Sequence, residues 1–242
     1  MNVNISGSER RQDPDVKTGV ARRVVQILIL VAFQAAMLFL SSGQLGWSWA
    51  WVFIGLYLAG ISVNGSLMMR YNPETIAERA RAGDNVKGWD KIVGGLFGVM
   101  CFVVMLLVAG LDVRSGWSRP VALALHIAAA VAFVLGFALL IWSMVSNAYF
   151  ATVVRIQKER GHTVCNAGPY RFVRHPGYVG AIIQSLAVPL LLGSLWALIP
   201  GGLAALLMVA RTALEDQTLR EELKGYIEYA QQTRYRLLPG VW

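Results

Sequence analysis

Four long tracts without a single charged residue constrain this chain more than any other feature of it. No Asp, Glu, Lys or Arg occurs between Arg23 and Arg70, Lys91 and Asp112, Arg119 and Arg155, or Arg174 and Arg211. Subtracting those numbers gives 46, 20, 35 and 36 uncharged residues. A helix needs about 20 apolar residues to cross the hydrocarbon core of a bilayer. The second tract is therefore one span, near Ile92 to Leu111. The first holds two, about Val24 to Leu40 and Trp47 to Met69, turning near Ser41-Ser42-Gly43-Gln44. The third reads as one helix from Pro120 to about Ser146. The fourth breaks at Gly193-Ser194 and reads as a hairpin, with Pro189 and Pro200 bending its helices. Charged residues are 15% of the chain, against about 25% in soluble domains. The expected fold is an all-α polytopic transmembrane bundle of about six spans, ending in a cytosolic carboxy-terminal helix from Arg211 to about Gln232.

The formal net charge of +8 raises the question of nucleic acid, and its placement argues against it. Lys and Arg fall in four groups of five, at 10–23, 70–91, 155–174 and 211–236, with only Arg114 and Arg119 elsewhere. Six spans with both termini in the cytosol put all four groups inside, as the positive-inside rule requires. Nucleic-acid binders instead gather basic residues on one face with exposed aromatics. The first apolar run follows about twenty polar residues and is succeeded at once by a second, so it reads as an anchor. Bacterial inner membrane and endoplasmic reticulum are both compatible hosts.

Several features exclude other chemistries. Cys101 sits in a span and Cys165 in a loop, so they do not pair, and no CxxC or His/Cys cluster offers metal ligands. No GxGxxG follows a strand pattern, so a doubly wound nucleotide fold is excluded. Gly94, Gly95 and Gly98 read as close-packing positions in the third span. Trp47, Trp49 and Trp51 suit an aromatic belt at the outer interface. Pro73 and Glu74 fit the first turn of a short interfacial helix. His126, in an apolar span, reads as a satisfied packing residue, and His162 as either surface or site.

Ionisable residues concentrate against the membrane in two segments. Gly168-Pro169-Tyr170-Arg171-Phe172-Val173-Arg174-His175-Pro176-Gly177-Tyr178 leads into an apolar helix, and Arg211-Thr212-Ala213-Leu214-Glu215-Asp216 leaves one. Since the two helices form one hairpin, these ends are expected to be neighbours. Pro176 and Gly177 impose a defined turn that can aim Arg174, His175 and Tyr178. Arg211 and Glu215, four apart, share a helix face. Polar residues are scarce within the spans, so no ion or substrate path is apparent and a transporter or scaffold reading is the weaker one.

The run from Arg155 to Tyr178, with GPYRFVRHPGY inside it, resembles the isoprenylcysteine carboxyl methyltransferase and phospholipid methyltransferase superfamily. Glu215-Asp216, Leu219, Tyr226, Tyr229 and Leu238-Pro239 are similar to that family's ending. The resemblance covers about the last 90 residues closely and the first 145 only by span pattern. RHPxY alone is less specific, because membrane sterol reductases that use NADPH carry a similar run. Such a reductase needs more basic or hydrogen-bonding residues for two nucleotide halves than this short chain offers.

The resemblance implies an S-adenosylmethionine-dependent integral membrane methyltransferase acting on a lipophilic acceptor from the bilayer, either an isoprenylcysteine-type carboxylate or a phospholipid-like headgroup. Residues 1–21 are then a polar tail, 22–145 the amino-terminal spans, and 146–242 the catalytic region. It implies that Tyr170, Arg174, His175, Pro176 and Tyr178 line the cofactor, with Glu215 opposite. Where the family shows two glutamates this chain has Glu215-Asp216, and the shorter side chain puts a contact from Asp216 in question. By chemistry, Arg174 can pair the cofactor's carboxylate in two-pronged fashion, and Glu215 or Asp216 can take its ammonium or ribose hydroxyls. A Tyr178 or Tyr170 ring near the sulfonium adds a cation–π contact of about 0.5–2 kcal/mol. The catalytic roles expected are a base for an amine acceptor at Glu215 and orientation of an acidic acceptor by Arg211. No metal is expected.

Overall fold

The computed structural model describes residues 14–71 and 86–242. Every regular element among them is helical. The order is α1 (Pro14–Ser42), α2 (Ser48–Tyr71), α3 (Gly88–Ser115), α4 (Leu123–Ser146), α5 (Pro176–Leu192), α6 (Leu198–Glu222) and α7 (Tyr226–Gln232). Helices α1 (from Ala21), α2, α3, α4 and α6 are long and apolar enough to cross a membrane. The 17 residues of α5 reach about 26 Å at 1.5 Å per residue, slightly short of a core of about 30 Å. With α5 tilted or capped by its loops, about six spans result, and the chain is an integral membrane protein. Pro73 and Glu74 lie outside the described residues.

Helix boundaries follow local chemistry. Helix α1 begins at Pro14, ahead of the apolar run expected from Val24, because nothing in Val16-Lys17-Thr18-Gly19-Val20 stops a helix that Pro can open. Helix α5 ends at Gly193, whose φ of +81° is the left-handed stop that glycine adopts without strain. The helix expected to run unbroken from Arg211 to Gln232 is broken at Leu223–Gly225, where Gly225 has φ +83°, giving α6 and a separate α7. Within α3 a five-residue wide turn, Met100–Val104, interrupts the regular hydrogen-bond ladder.

Between apolar helices in lipid there is no hydrophobic force to spend, so close backbone approach decides which helices pair. Helices α4 and α5 cross where Gly136 meets Gly180. A Cβ on Gly180 would fall 2.5 Å from the Gly136 carbonyl oxygen, and one on Gly136 2.9 Å from the Gly180 oxygen. Helix α6 approaches α5 in the same manner, Gly201 facing the Ser185 carbonyl. The third-span glycines behave differently from expectation: a Cβ on Gly95 or Gly98 would touch nothing within 4 Å, and Gly94 alone sits against side chains, those of Asp90 and Arg211. The core between α1–α5 and the start of α6 is aliphatic and aromatic, with Phe53, Phe133 and Phe137 edge to face.

At the end of the bundle remote from α7, Asp112 of α3 ties the α3–α4 and α5–α6 connections together. It accepts from the Ser118 N–H at 2.7 Å, the Ser118 hydroxyl at 2.6 Å and the Ser194 hydroxyl at 2.5 Å. His126 is satisfied as expected, its Nδ1 2.9 Å from the Leu191 carbonyl and its ring stacked on Trp49 at 4.1 Å. That stack, and the burial of Trp47, leave only Trp51 of the tryptophan trio facing outward.

Candidate active site

The polar end of the bundle is built from the α4–α5 connection, the start of α5, the end of α6, α7 and the carboxy-terminal tail. Helix α4 stops at Asn147, whose side-chain oxygen accepts the Tyr149 N–H at 2.9 Å and turns the chain out of the helix. The chain then runs past the head of α3, where Lys87 N–H donates to the Val154 carbonyl (3.1 Å) and Val154 N–H to Asp90 Oδ2 (2.7 Å). A turn at Gly168–Arg171 buries Tyr170. Tyr170's carbonyl accepts the Tyr229 hydroxyl at 2.7 Å, locking α7 against the turn.

Arg174 and His175 enter α5 through Pro176 at its first position, where a missing N–H costs nothing. Their own N–H groups bond to the carbonyls of Tyr235 (2.9 Å) and Arg236 (3.0 Å). The tail is itself closed on the Trp242 carbonyl by the N–H groups of Arg236, Leu237 and Leu238, and the Arg236 guanidinium covers the Trp242 ring at 4.8 Å. The turn thus has backbone partners from the far end of the chain, which its sequence alone does not reveal.

Asp216 is the centre of this architecture and is fully buried. It takes Arg174 in a two-pronged pair, Nε to Oδ1 at 2.7 Å and Nη2 to Oδ2 at 3.1 Å. It also accepts from Arg220 and Arg236, each at 3.0 Å, and from the Tyr226 hydroxyl at 2.9 Å. Arg174's Nη1 donates to the carbonyls of Thr233 and Arg234 at 2.8 and 2.6 Å. Four of the five guanidinium N–H groups are therefore spent inside the protein. The two-pronged grip expected of Arg174 on a ligand is made with Asp216 instead, because a carboxylate on the next helix lies in the plane of its fork. Burial works against the charge of Arg174, and the bonds and attraction from Asp216 outweigh it, so its pKa stays above the ordinary value. Burial, reinforced by Asp216, pushes the Tyr226 hydroxyl well above the usual tyrosine range.

In front of this cluster lies a cavity enclosing about 780 Å³, its open mouth included. Of the residues expected at the site, Tyr170, Arg174, His175, Tyr178 and Glu215 line it, while Pro176, Arg211 and Asp216 do not. Pro176 shapes the turn, and Asp216 stands behind Arg174. The helix-face pairing of Arg211 with Glu215 does not form an ion pair. Arg211 turns to Asp90 on α3, with Nε to Oδ1 at 2.7 Å and Nη2 to Oδ2 at 3.1 Å, and to the Thr152 carbonyl at 2.9 Å. Its guanidinium carbon lies 5.3 Å from the centre of the Tyr178 ring. The Tyr178 hydroxyl donates to Glu215 Oε2. The His175 ring stacks on Tyr178, centroids 5.6 Å apart and planes within 7°. Its Nε2 lies 3.4 Å from the Tyr226 hydroxyl and 3.5 Å from Asp216 Oδ1.

The sequence reading missed Asp90, Tyr226 and Tyr229 as site-building residues, and left Tyr149 and Asn147 unassigned. An acidic residue at the head of an apolar span was the available signal for Asp90, since intramembrane ions need a partner. His162 also lines the cavity. Its Nδ1 accepts the Gln157 N–H at 3.3 Å and its ring stacks on Tyr149 at 4.5 Å. Burial, then the positive charges of Arg160 and Arg155, lower its pKa to about 4. The fold therefore holds a neutral imidazole, and that contribution to stability is complete above about pH 6.5, the unfolded value, and is lost as the pH falls from there towards 4. The melting temperature of the wild type in detergent is expected to fall across that window more steeply than that of His162→Gln; parallel curves would contradict it.

The cavity-lining residues from Asn147 to Leu219 fall in one sequence interval, and this interval resembles a known family. Residues 128–221 match the model of the isoprenylcysteine carboxyl methyltransferase (ICMT) family. The match spans 94 of the 242 residues. It carries α4 from Ala128, the connection, α5 and nearly all of α6, and hence Tyr170, Arg174, His175, Tyr178, Glu215 and Asp216. Asp90, Tyr226, Tyr229 and the tail lie outside it. Comparison with curated proteins gives no match.

Proposed function

We propose that the protein is an S-adenosylmethionine-dependent methyltransferase of the ICMT type, binding its cofactor in the α4–α6 cavity and methylating a lipophilic acceptor that approaches from the bilayer. The observation that carries this reading is the state of Glu215. Its carboxylate lines the cavity, bonds to the Tyr178 hydroxyl and, among the described residues, forms no ion pair. A carboxylate held among the rings of Tyr170, Tyr178 and Tyr226 is a seat for a cation. The cofactor's two positive groups, ammonium and sulfonium, fit that seat, and Arg174, which also lines the cavity, keeps one N–H for its carboxylate. Charged, hydroxyl and aromatic groups converge on one cavity, a lining that suits a ligand of mixed polarity.

When bound, the cofactor supplies a methyl group activated by its sulfonium. The work of the chain is to hold and align. Glu215 attracts the positive end, and the Tyr178 hydroxyl fixes the carboxylate's direction. The stacked rings of His175 and Tyr178 give a flat wall. Arg174, immobilised by Asp216 and two carbonyls, offers charge and its remaining N–H without having to be ordered on binding. An acceptor that is already a carboxylate needs no base, so alignment supplies most of the rate. An amine acceptor needs one, and Glu215 is the lining group placed to take that proton. An isoprenylcysteine-type carboxylate is the acceptor that the family match favours. The basic groups at the site end of the helices support placing that end, with both termini, in the cytosol.

Calorimetric titration of the purified protein in detergent with S-adenosylhomocysteine and, separately, NADPH tests the reading. Binding of the first and not the second is expected. NADPH binding alone would replace the methyltransferase with a reductase of the RHPxY type, and no binding of either would remove the enzyme reading.

A further inference from the structure

Arg211 and Glu215 stand one helical turn apart on α6, the spacing at which an arginine and a glutamate ordinarily pair. They do not pair because Asp90, from α3 and outside the stretch that matches the ICMT-family model, takes both prongs of the guanidinium. Gly94, one turn along α3 from Asp90, faces the pair: a Cβ there would lie in ordinary contact distance, 3.6 Å from Asp90 Oδ1 and 3.9 Å from the Arg211 guanidinium carbon. Asp90 also caps Val154, a cavity-wall residue, through Oδ2. Arg211 meanwhile lies against one face of the Tyr178 ring, whose hydroxyl meets Glu215. From this geometry we infer that Asp90 is a positioning residue for the proposed site: it diverts Arg211 from Glu215 and so keeps the cavity's carboxylate available to a cationic ligand.

The alternative arrangement is close at hand. Both Asp90 and Arg211 are buried, and a buried guanidinium deprived of its carboxylate seeks another. Glu215 is the acidic side chain one turn along the same helix. Neutralising Asp90 is therefore expected to close the cation seat without removing any residue that touches it. Asp90→Asn is the informative change, because its amide oxygen can still accept the Val154 N–H while its charge is gone. A purely architectural role through Val154 survives that substitution, and a charge-diverting role does not.

The test rests on the cofactor reading above for one of its two readouts and not for the other. The first, free of any ligand, is the infrared carboxylate stretch of Glu215, assigned by its loss in Glu215→Gln. It is expected to shift in Asp90→Asn and to return to the wild-type position in Asp90→Asn/Arg211→Met. An unmoved band in Asp90→Asn overturns the inference whatever the ligand is. The second is calorimetry with S-adenosylhomocysteine, expected to weaken roughly tenfold or more in Asp90→Asn and to recover in the double variant. Wild-type protein that fails to bind would sink the cofactor reading while the infrared result still decides this one. Should Asp90→Asn not fold, the double variant, which leaves no unpaired arginine, is expected to; if it too fails, Asp90 is architectural and the inference falls.

Discussion

Asp216→Ala is expected to destabilise the protein by about 3–5 kcal/mol, the cost of removing one partner of a buried ion pair. Its carboxylate is the only acceptor that Arg174's Nε and Nη2 have among the described residues, and Arg174 is itself 4% exposed. Arg220, Arg236 and the Tyr226 hydroxyl converge on the same two oxygens. Deleting it leaves a buried guanidinium held by the Thr233 and Arg234 carbonyls alone, with no counter-charge. The start of α5, α7 and the tail should loosen together, because Asp216 is the group they share. Thermal unfolding in detergent, followed by size-exclusion recovery, would show the loss, and a variant that melts with the wild type would contradict it. Asp216 lies in the stretch that matches the ICMT-family model, yet the effect is one of architecture: it should appear before any ligand is added.

Glu215→Gln is expected to behave in the opposite way. Its neighbour on α6 holds the structure together, whereas Glu215 faces the cavity with a single hydroxyl partner, Tyr178. Glutamine has the same shape, and its amide oxygen can take the Tyr178 hydrogen bond, so the melting temperature should hardly move. Affinity for S-adenosylhomocysteine should fall about 30-fold or more, the loss typical of removing one side of a hydrogen-bonded charge pair. Unchanged affinity would separate the family from the proposed site, leaving the cation seat elsewhere. Two adjacent acidic residues thus divide the work. Asp216 stabilises the turn and Glu215 meets the ligand, and swapping the two tests would give opposite outcomes if that division were wrong.

The architecture was readable because membranes impose it. Tracts of 46, 20, 35 and 36 uncharged residues admit little besides helices, since in lipid every backbone group must be bonded within its own segment. Gly193 marked the hairpin turn for the same local reason, a left-handed stop. The turn at Arg174-His175-Pro176 and its meeting with Glu215-Asp216 also followed from the chain, because a hairpin must bring its two ends together.

Partnerships between groups far apart in sequence were decided by packing alone. Sequence spacing offered Glu215 to Arg211, and α3 brought Asp90 instead. Arg174 had the chemistry to hold a ligand's carboxylate, and Asp216 satisfied it first. The third-span glycines had the composition of a packing face, yet Gly136 and Gly180 form the crossing while Gly95 and Gly98 meet nothing. Composition and period determine what each segment is, for those depend on a residue and its near neighbours. Which of several chemically eligible partners a buried charge takes depends on how helices are arranged about it, and that distance is not written in any one stretch of the chain.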